Sequence, residues 1–209
     1  MAVEIKWIHH ASFRIVAGES VLYIDPWKIE SEPHDADVIF VSHSHHDHCS
    51  PEDIAKVSKD DTAIVAPAET IEMIHAANAV DPGERIYVKD IAIEAVAAYN
   101  VSAAFHPRGN HWCGAVFTMG GKRLYYAGDT DLVPEMSDLK DVDVAMLPVG
   151  GTYTLDADAA AHACKAIGCA VAIPCHWGDI VGSEADARRF AERAGCEVHV
   201  LQPGETLNV

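Results

Sequence analysis

Positive charge is scarce in this sequence. Fifteen Lys and Arg residues stand against 32 Asp and Glu, for a formal net charge of −17 over 209 residues. A surface of that sign disfavours non-specific binding to nucleic acid, which depends on cationic contacts with phosphate. Long apolar runs are missing too, and none approaches the length of a membrane span. The opening Met1-Ala2-Val3-Glu4-Ile5-Lys6 has neither the basic region nor the apolar segment of a signal peptide, so a cytoplasmic protein is expected. Linkers, low-complexity tracts and tandem repeats are absent. The six cysteines, at 49, 113, 164, 169, 175 and 196, form no Cys-x-x-Cys pair. Without a secretory signal they read as reduced thiols, mostly buried as small apolar groups.

What is present is enough apolar sequence for a core, and one dense cluster of histidines. Hydrophobic residues make up 49% of the chain, which suits one domain over residues 1–209. Val38-Ile39-Phe40-Val41 reads as a buried strand. Ser50-Pro51-Glu52-Asp53 supplies an N-cap, a proline at the first helical position and acids in the first turn. Between strand and helix, His43, His45, His46, Asp47 and His48 fall within six residues. Extended geometry puts His43 and His45 on one side, and after a turn Asp47 and His48 face a second point. An imidazole pair beside a carboxylate–imidazole pair suits two adjacent divalent metals.

The remaining pattern predicts mixed strands and helices. Strands are expected at 3–8, 12–17, 21–24, 63–66, 85–88, 91–98, 143–148, 170–174 and 197–201. A hairpin is expected from 114–119 and 122–127 across Gly120-Gly121. Helices are expected at 51–58, 68–77, 155–167 and from Ser183 to Gly195. The third of these is capped by Thr154 or Asp156 and packs through Ala159, Ala163, Ala166 and Ile167, with His162 in the core or at its boundary. His75 reads as a helix-surface residue and His199 as structural. His10 lies in the first turn, as a hydrogen-bonded turn residue or as a group supporting a site. Asp25, before Pro26, is expected to be extended. The Pro- and Gly-containing loop 105–112 carries two candidate ligands, His106 and His111. Asp129 follows Gly128 at a strand end, a position suited to a bridging carboxylate, and His176 ends another strand.

His43-Ser44-His45-His46-Asp47-His48 resembles the H-x-H-x-D-H signature of the metallo-β-lactamase superfamily. His10-Ala11-Ser12-Phe13, Ile24-Asp25-Pro26-Trp27, Phe105-His106-Pro107-Arg108-Gly109, Ala127-Gly128-Asp129-Thr130 and Pro148-Val149-Gly150-Gly151-Thr152-Tyr153 are similar to the branch that contains L-ascorbate-6-phosphate lactonase. His9 stands where that branch has glycine. The resemblance implies an α/β (α+β) fold, the four-layer αββα sandwich, with the site at one edge. It implies a first metal on His43, His45 and His106, with His111 as fallback, and a second on Asp47, His48 and His176, bridged by Asp129. Zinc is the default, with manganese, iron, cobalt or nickel as alternatives.

The implied activity is that of a metal-dependent hydrolase. A hydroxide bridging the metals would cleave a lactone or ester, or a phosphodiester, of a small substrate, with Asp47 orienting it and shuttling a proton. Asp25 would support the metal loop, Arg108 would meet an anionic group, and Trp27, Trp112 and Trp177 would wall the pocket. The alternatives are a phospholipase D-like or nuclease phosphodiesterase, a diiron oxidoreductase and a non-catalytic metal-binding scaffold. The oxidoreductases of this fold carry glutamate where His45 stands, and a scaffold would have lost ligands. A small-molecule partner is expected, with homo-oligomerisation open.

Overall fold

The computed structural model describes residues 2–74, 78–102 and 104–209. The strands in chain order are β1 (Val3–His9), β2 (Ser12–Ala17), β3 (Ser20–Ile24), β4 (Ala36–Phe40), β5 (Ser58–Ala66), β6 (Asn78–Ala79), β7 (Arg85–Val88), β8 (Ile91–Ala97), β9 (Cys113–Met119), β10 (Lys122–Tyr126), β11 (Val144–Pro148), β12 (Val171–Cys175), β13 (Glu197–Val198) and β14 (Thr206–Asn208). The helices are α1 (Pro51–Val57), α2 (Ala68–Ile74), α3 (Ala157–Ile167) and α4 (Glu184–Arg193). One seven-stranded sheet runs β14-β1-β2-β3-β4-β5-β6, and the other runs β13-β12-β11-β10-β9-β8-β7. Each joins an antiparallel meander to a parallel run: β3, β4, β5 and β6 in the first sheet, β10, β11, β12 and β13 in the second.

The layers follow from which faces are apolar. In β1, Val3, Ile5 and Trp7 alternate inward with partly exposed neighbours, as a strand covered on one face requires. These residues meet Ile91, Ile93, Val116 and Phe117 of the second sheet in one core. Phe40 and Phe117 close the gap edge to face, with ring centroids 5.2 Å apart. The central parallel strands β4, β11 and β12 are buried along most of their length, since each must also cover a helix. Tyr23, Ile39 and Val41 meet Ile54 and Val57 of α1, with Ile71 and Ile74 of α2 packed alongside. On the other side, Phe190 and Ala187 of α4 and Ala160, Ala163 and Ile167 of α3 cover the second sheet. The result is the αββα sandwich that the sequence resemblance implied.

Caps fix the helix starts. The Ser50 side chain accepts from the Asp53 amide, Asp156 accepts from the Ala159 amide, and Ser183 and Asp186 form a reciprocal capping box. Several expectations are corrected. β5 begins at Ser58, earlier than its apolar segment, and its first half carries the partly buried Lys59 and the exposed Asp60 and Asp61. β13 stops at Val198, leaving His199 outside it, and the last strand is β14, which pairs antiparallel with β1. On α3, Ala166 and His162 are exposed and Ala157, Ala160, Ala161 and Cys164 are buried, so the packing face is rotated from the expected one. His75 lies outside the described residues.

Candidate metal centre

The loops after β3, β4, β10 and β12 emerge at one edge of the sandwich. The corner between β1 and β2 and the loop between β8 and β9 join them there. Ligand-bearing atoms converge at that edge. Those of His43, His45 and His106 lie within 4.8 Å of one another, and so do those of His10, Asp47, His48 and His176. Asp129 sits between the two groups. Its carboxylate lies 3.3 Å from His106 Nε2, 3.3 Å from His48 Nε2, 3.1 Å from His176 Nε2 and 4.0 Å from His43 Nε2. Two ligand atoms bound tetrahedrally to one zinc at about 2.0–2.1 Å are about 3.3 Å apart. The observed separations therefore have the size of coordination edges.

Hydrogen bonding on the far side of the rings sets which nitrogen faces inward. Asp25 accepts from His48 Nδ1 at 2.7 Å. Asn100 Oδ1 accepts from His106 Nδ1 at 3.0 Å. Ser42 Oγ donates to Asp25 and so accepts from His43 Nδ1 at 3.0 Å. With protons placed on those three Nδ1 atoms, the Nε2 lone pairs of His43, His48 and His106 all point at the cluster. His45 turns its Nδ1 inward instead, 3.1 Å from His43 Nε2 and 3.2 Å from His106 Nε2. His48 Nε2 and His176 Nε2 are buried and have no hydrogen-bond partner, although carboxylate oxygens are close. Facing lone pairs at such distances repel unless a cation lies between them. These residues fit divalent metal ions, and the orienting partners are those expected of metal-bound histidines.

The clustered rings and carboxylates shift one another's protonation. Burial drives the His43 imidazole well below its usual range, with the His48 charge adding to the effect. Burial also lowers His10 to about 4, against the pull of Asp47. His48 is raised well above the ordinary value, because Asp129 and Asp25 together outweigh its burial. Asp129 is held well below the carboxylate range, because His176, His48 and His106 outweigh its burial.

Asp25 is the support beneath this arrangement. It is fully buried and accepts from the Ser42 amide, Ser42 Oγ, Tyr126 Oη and His48 Nδ1, all at 2.5–2.7 Å. Its φ of 42° corrects the extended geometry expected before Pro26. The four donors fix the carboxylate, and the backbone adopts a left-handed conformation to deliver it. His10 and His176 are also left-handed, at φ 48° and 56°, and the His176 amide donates to the His10 carbonyl at 2.8 Å. His10 does more than hold a turn. Its Nε2 lies 3.2 Å from Asp47 Oδ2 and its ring packs 3.9 Å from that of His176.

A cavity of about 250 Å³ opens over the cluster, lined by His45, Asp47, His106, Asp129 and His176 with Phe105, Tyr153 and Ile180 at its apolar side. A larger cavity of about 730 Å³ holds none of the clustered donors. Arg108 lines that other cavity, pairs with Glu135 at 2.8 Å and stacks over Tyr99. The expectation that it meets substrate at the histidine cluster is corrected. His111 is exposed and faces Asp81, so of the two loop histidines only His106 joins the cluster. Trp112 packs behind His43, His45 and His106, Trp27 packs against His10 and His46, and Trp177 packs on Trp7. The tryptophans back the site and do not line its cavity. Ser42, Asn100, Tyr126, Phe105, Tyr153 and Ile180 had no role in the sequence reading, because short motifs do not reveal cross-sheet contacts. Only Phe105 and Tyr153 lie inside the quoted motif segments.

Fold and cluster together define a member of the metallo-β-lactamase superfamily. The chain belongs to it: the model of the β-lactamase superfamily domain matches residues 4–176. Within it, the chain is 33% identical to a UPF0173 metal-dependent hydrolase of Symbiobacterium thermophilum, over 98% of this chain and 99% of the relative. It is 35% identical to a UPF0173 metal-dependent hydrolase of Thermoplasma acidophilum, covering 92% and 91% of the two chains. In fold it is similar to Igni18, a metallo hydrolase from Ignicoccus hospitalis, with a TM-score of 0.84 at 23% identity over 100% of this chain and 99% of that one.

Proposed function

We propose that this chain is a metal-dependent hydrolase of a small ester or lactone. In this reading His43, His45 and His106 hold one divalent ion, Asp47, His48 and His176 hold a second, and Asp129 lies between them. Zinc suits the nitrogen and oxygen donors, with manganese, iron, cobalt or nickel as alternatives. The observation that carries the reading is the convergence of inward lone pairs on Asp129, each set by a proton acceptor behind its ring.

When bound, a divalent ion lowers the pKa of a water ligand to about 7 and polarises the bond to be cut. The chain's own groups do the rest. Asp47, steadied through Oδ2 by His10, takes up a proton and returns it to the leaving oxygen. Burial keeps His10 neutral at pH 7, so its Nε2–H orients Asp47 without competing for that proton. Phe105 and Tyr153, with rings 4.8 Å apart, and Ile180 offer an apolar wall to the substrate and exclude water from that side. Among the described residues no Lys or Arg lines the cavity, which favours a neutral ester or lactone over an anion recognised by a side-chain cation. A phosphodiester is the second reading, with its charge met by the metals alone.

The test is elemental mass spectrometry on wild type and Asp129→Ala, beside a panel of lactones, carboxylic esters and phosphodiesters. About two divalent ions per chain are expected, falling sharply in the variant, with turnover confined to the ester or lactone arms. Little metal after reconstitution with zinc or manganese would overturn the reading. Iron with redox turnover would replace it by an oxidoreductase.

A further inference from the structure

At the opposite end of β12 from His176, three cysteines meet. Cys164 lies in the last turn of α3, Cys169 follows that helix, and Cys196 follows α4. Both connections are Gly-Cys. Gly168, at φ 70°, and Gly195, at φ 78°, turn the chain back in a conformation open to glycine, so that each cysteine tucks in beneath its helix end. The strands that follow, β12 and β13, pair in parallel with Val171 opposite Glu197, which holds the two Gly-Cys turns side by side. The three Sγ atoms lie within 4.8 Å of one another, and Cys169 Sγ is 4.0 Å from Cys196 Sγ. Cys164 and Cys169 are buried, and Cys196 is partly exposed.

We propose that Cys164, Cys169 and Cys196 form a second metal site, separate from the histidine centre, that takes one thiophilic d10 ion of the copper(I) class in three-coordinate geometry. The argument is one of distance and donor type. Three sulfurs each about 2.3 Å from a metal in their plane are about 4.0 Å apart, whereas a disulfide needs about 2.05 Å. Soft thiolates select copper(I) or zinc. Structural zinc almost always takes four ligands. Among the described residues no fourth Cys, His, Asp or Glu atom joins this group. A three-sulfur set without a fourth donor is therefore better matched to copper(I).

The surroundings favour a cation there. The C-terminal ends of α3 and α4 both approach the cluster, and their partial negative charge stabilises a cation and opposes unpaired thiolates. Cys196, partly exposed, gives the ion its way in. Binding would tie α3, α4 and the start of the β12–β13 pair together, about 20 Å from the histidine centre along the strand.

The test uses reduced full-length protein with its histidine centre loaded with zinc. It is titrated anaerobically with copper(I) against a chromophoric copper(I) chelator, with X-ray absorption read at the copper edge. One copper per chain in a three-sulfur shell is expected. Cys169→Ser and Cys196→Ala should each lose it while keeping their zinc, and Asp129→Ala should retain the copper. Should either cysteine variant fail to fold, alkylation of the wild type decides. Copper(I) should shield Cys196 from iodoacetamide in the native protein. A nitrogen-dominated shell, unchanged copper capacity in both cysteine variants, or no shielding of Cys196 would overturn the proposal. So would a Cys169–Cys196 disulfide that forms in air while the reduced protein ignores copper.

Discussion

Replacing Asp25 by asparagine separates orientation from packing at the metal edge. The side chain keeps its size, but the carboxylate loses one of two acceptor oxygens and gains an NH2 group. Four donors now meet at Asp25, from the Ser42 amide, Ser42 Oγ, Tyr126 Oη and His48 Nδ1. The two hydroxyls can rotate to accept from the new amide. His48 has a different escape: its proton moves to Nε2, the atom that faces Asp129 at 3.3 Å. That tautomer turns the lone pair away from the metal position.

One to two weakened charge-assisted hydrogen bonds in a buried site amount to about 2–4 kcal/mol of stability, a large share of the 5–15 kcal/mol typical of a domain. The supporting partner of a metal-bound histidine is usually worth about 10–100-fold in metal affinity. Asp25→Asn should therefore fold, melt several degrees lower in calorimetry, and lose metal in a zinc competition titration by about that factor. The metal loss should be selective for the position served by His48. A variant that melts early but binds zinc as wild type would show that Asp25 only packs. A variant unchanged in both would refute the network.

Two further substitutions test neighbouring parts. A Cβ on Gly150 would lie 2.5 Å from the His176 carbonyl and 2.7 Å from Val181 Cγ2, so Gly150→Ala should displace the His176 turn, cost about 1–3 kcal/mol and lower activity, as read by melting and turnover. Asp37 accepts from Lys59 and from the Val21 amide, and these bonds with the nearby Lys89 outweigh its burial to hold its carboxyl below the ordinary value. Its contribution is full above the unfolded carboxylate pKa and is lost as pH falls through the lower folded one. The stability gap between wild type and Asp37→Asn, about 1–2 kcal/mol at pH 7, should close below about pH 4 in urea titrations.

What the sequence made legible was what is local. His43 to His48 form a contiguous cluster between a buried strand and a capped helix, so neither the loop nor its cap needed the fold to be seen. The hairpin at Gly120-Gly121 and the Ser183–Asp186 capping box were legible for the same reason. His106, Asp129 and His176 came through resemblance, since they reach the cluster from three separate strand ends. His10 shows where local reasoning stops: a turn histidine by pattern, it is carried under Asp47 only because β1 and β2 dock against the end of β12. Arg108 fails in the other direction. It sits two residues from His106, yet the loop turns its side chain outward to Glu135. β14, three residues with both end residues polar, had no readable period, and it forms because β1 offers an edge. The cysteine cluster was invisible to spacing because parallel pairing of β12 and β13, not sequence distance, brings Cys169 and Cys196 together.

The histidine cluster draws His43, His45, Asp47 and His48 from the first sheet and His106, Asp129 and His176 from the second. Neither sheet alone holds a complete set of donors for both positions. With metals bound as proposed, their capture should come late in assembly, after the two halves have docked, and its rate during refolding should report that docking. A chelator added to the metal-loaded protein should loosen the seam between the sheets before it melts either one, and hydrogen exchange in the loops that follow β4 and β10 should register the loss first.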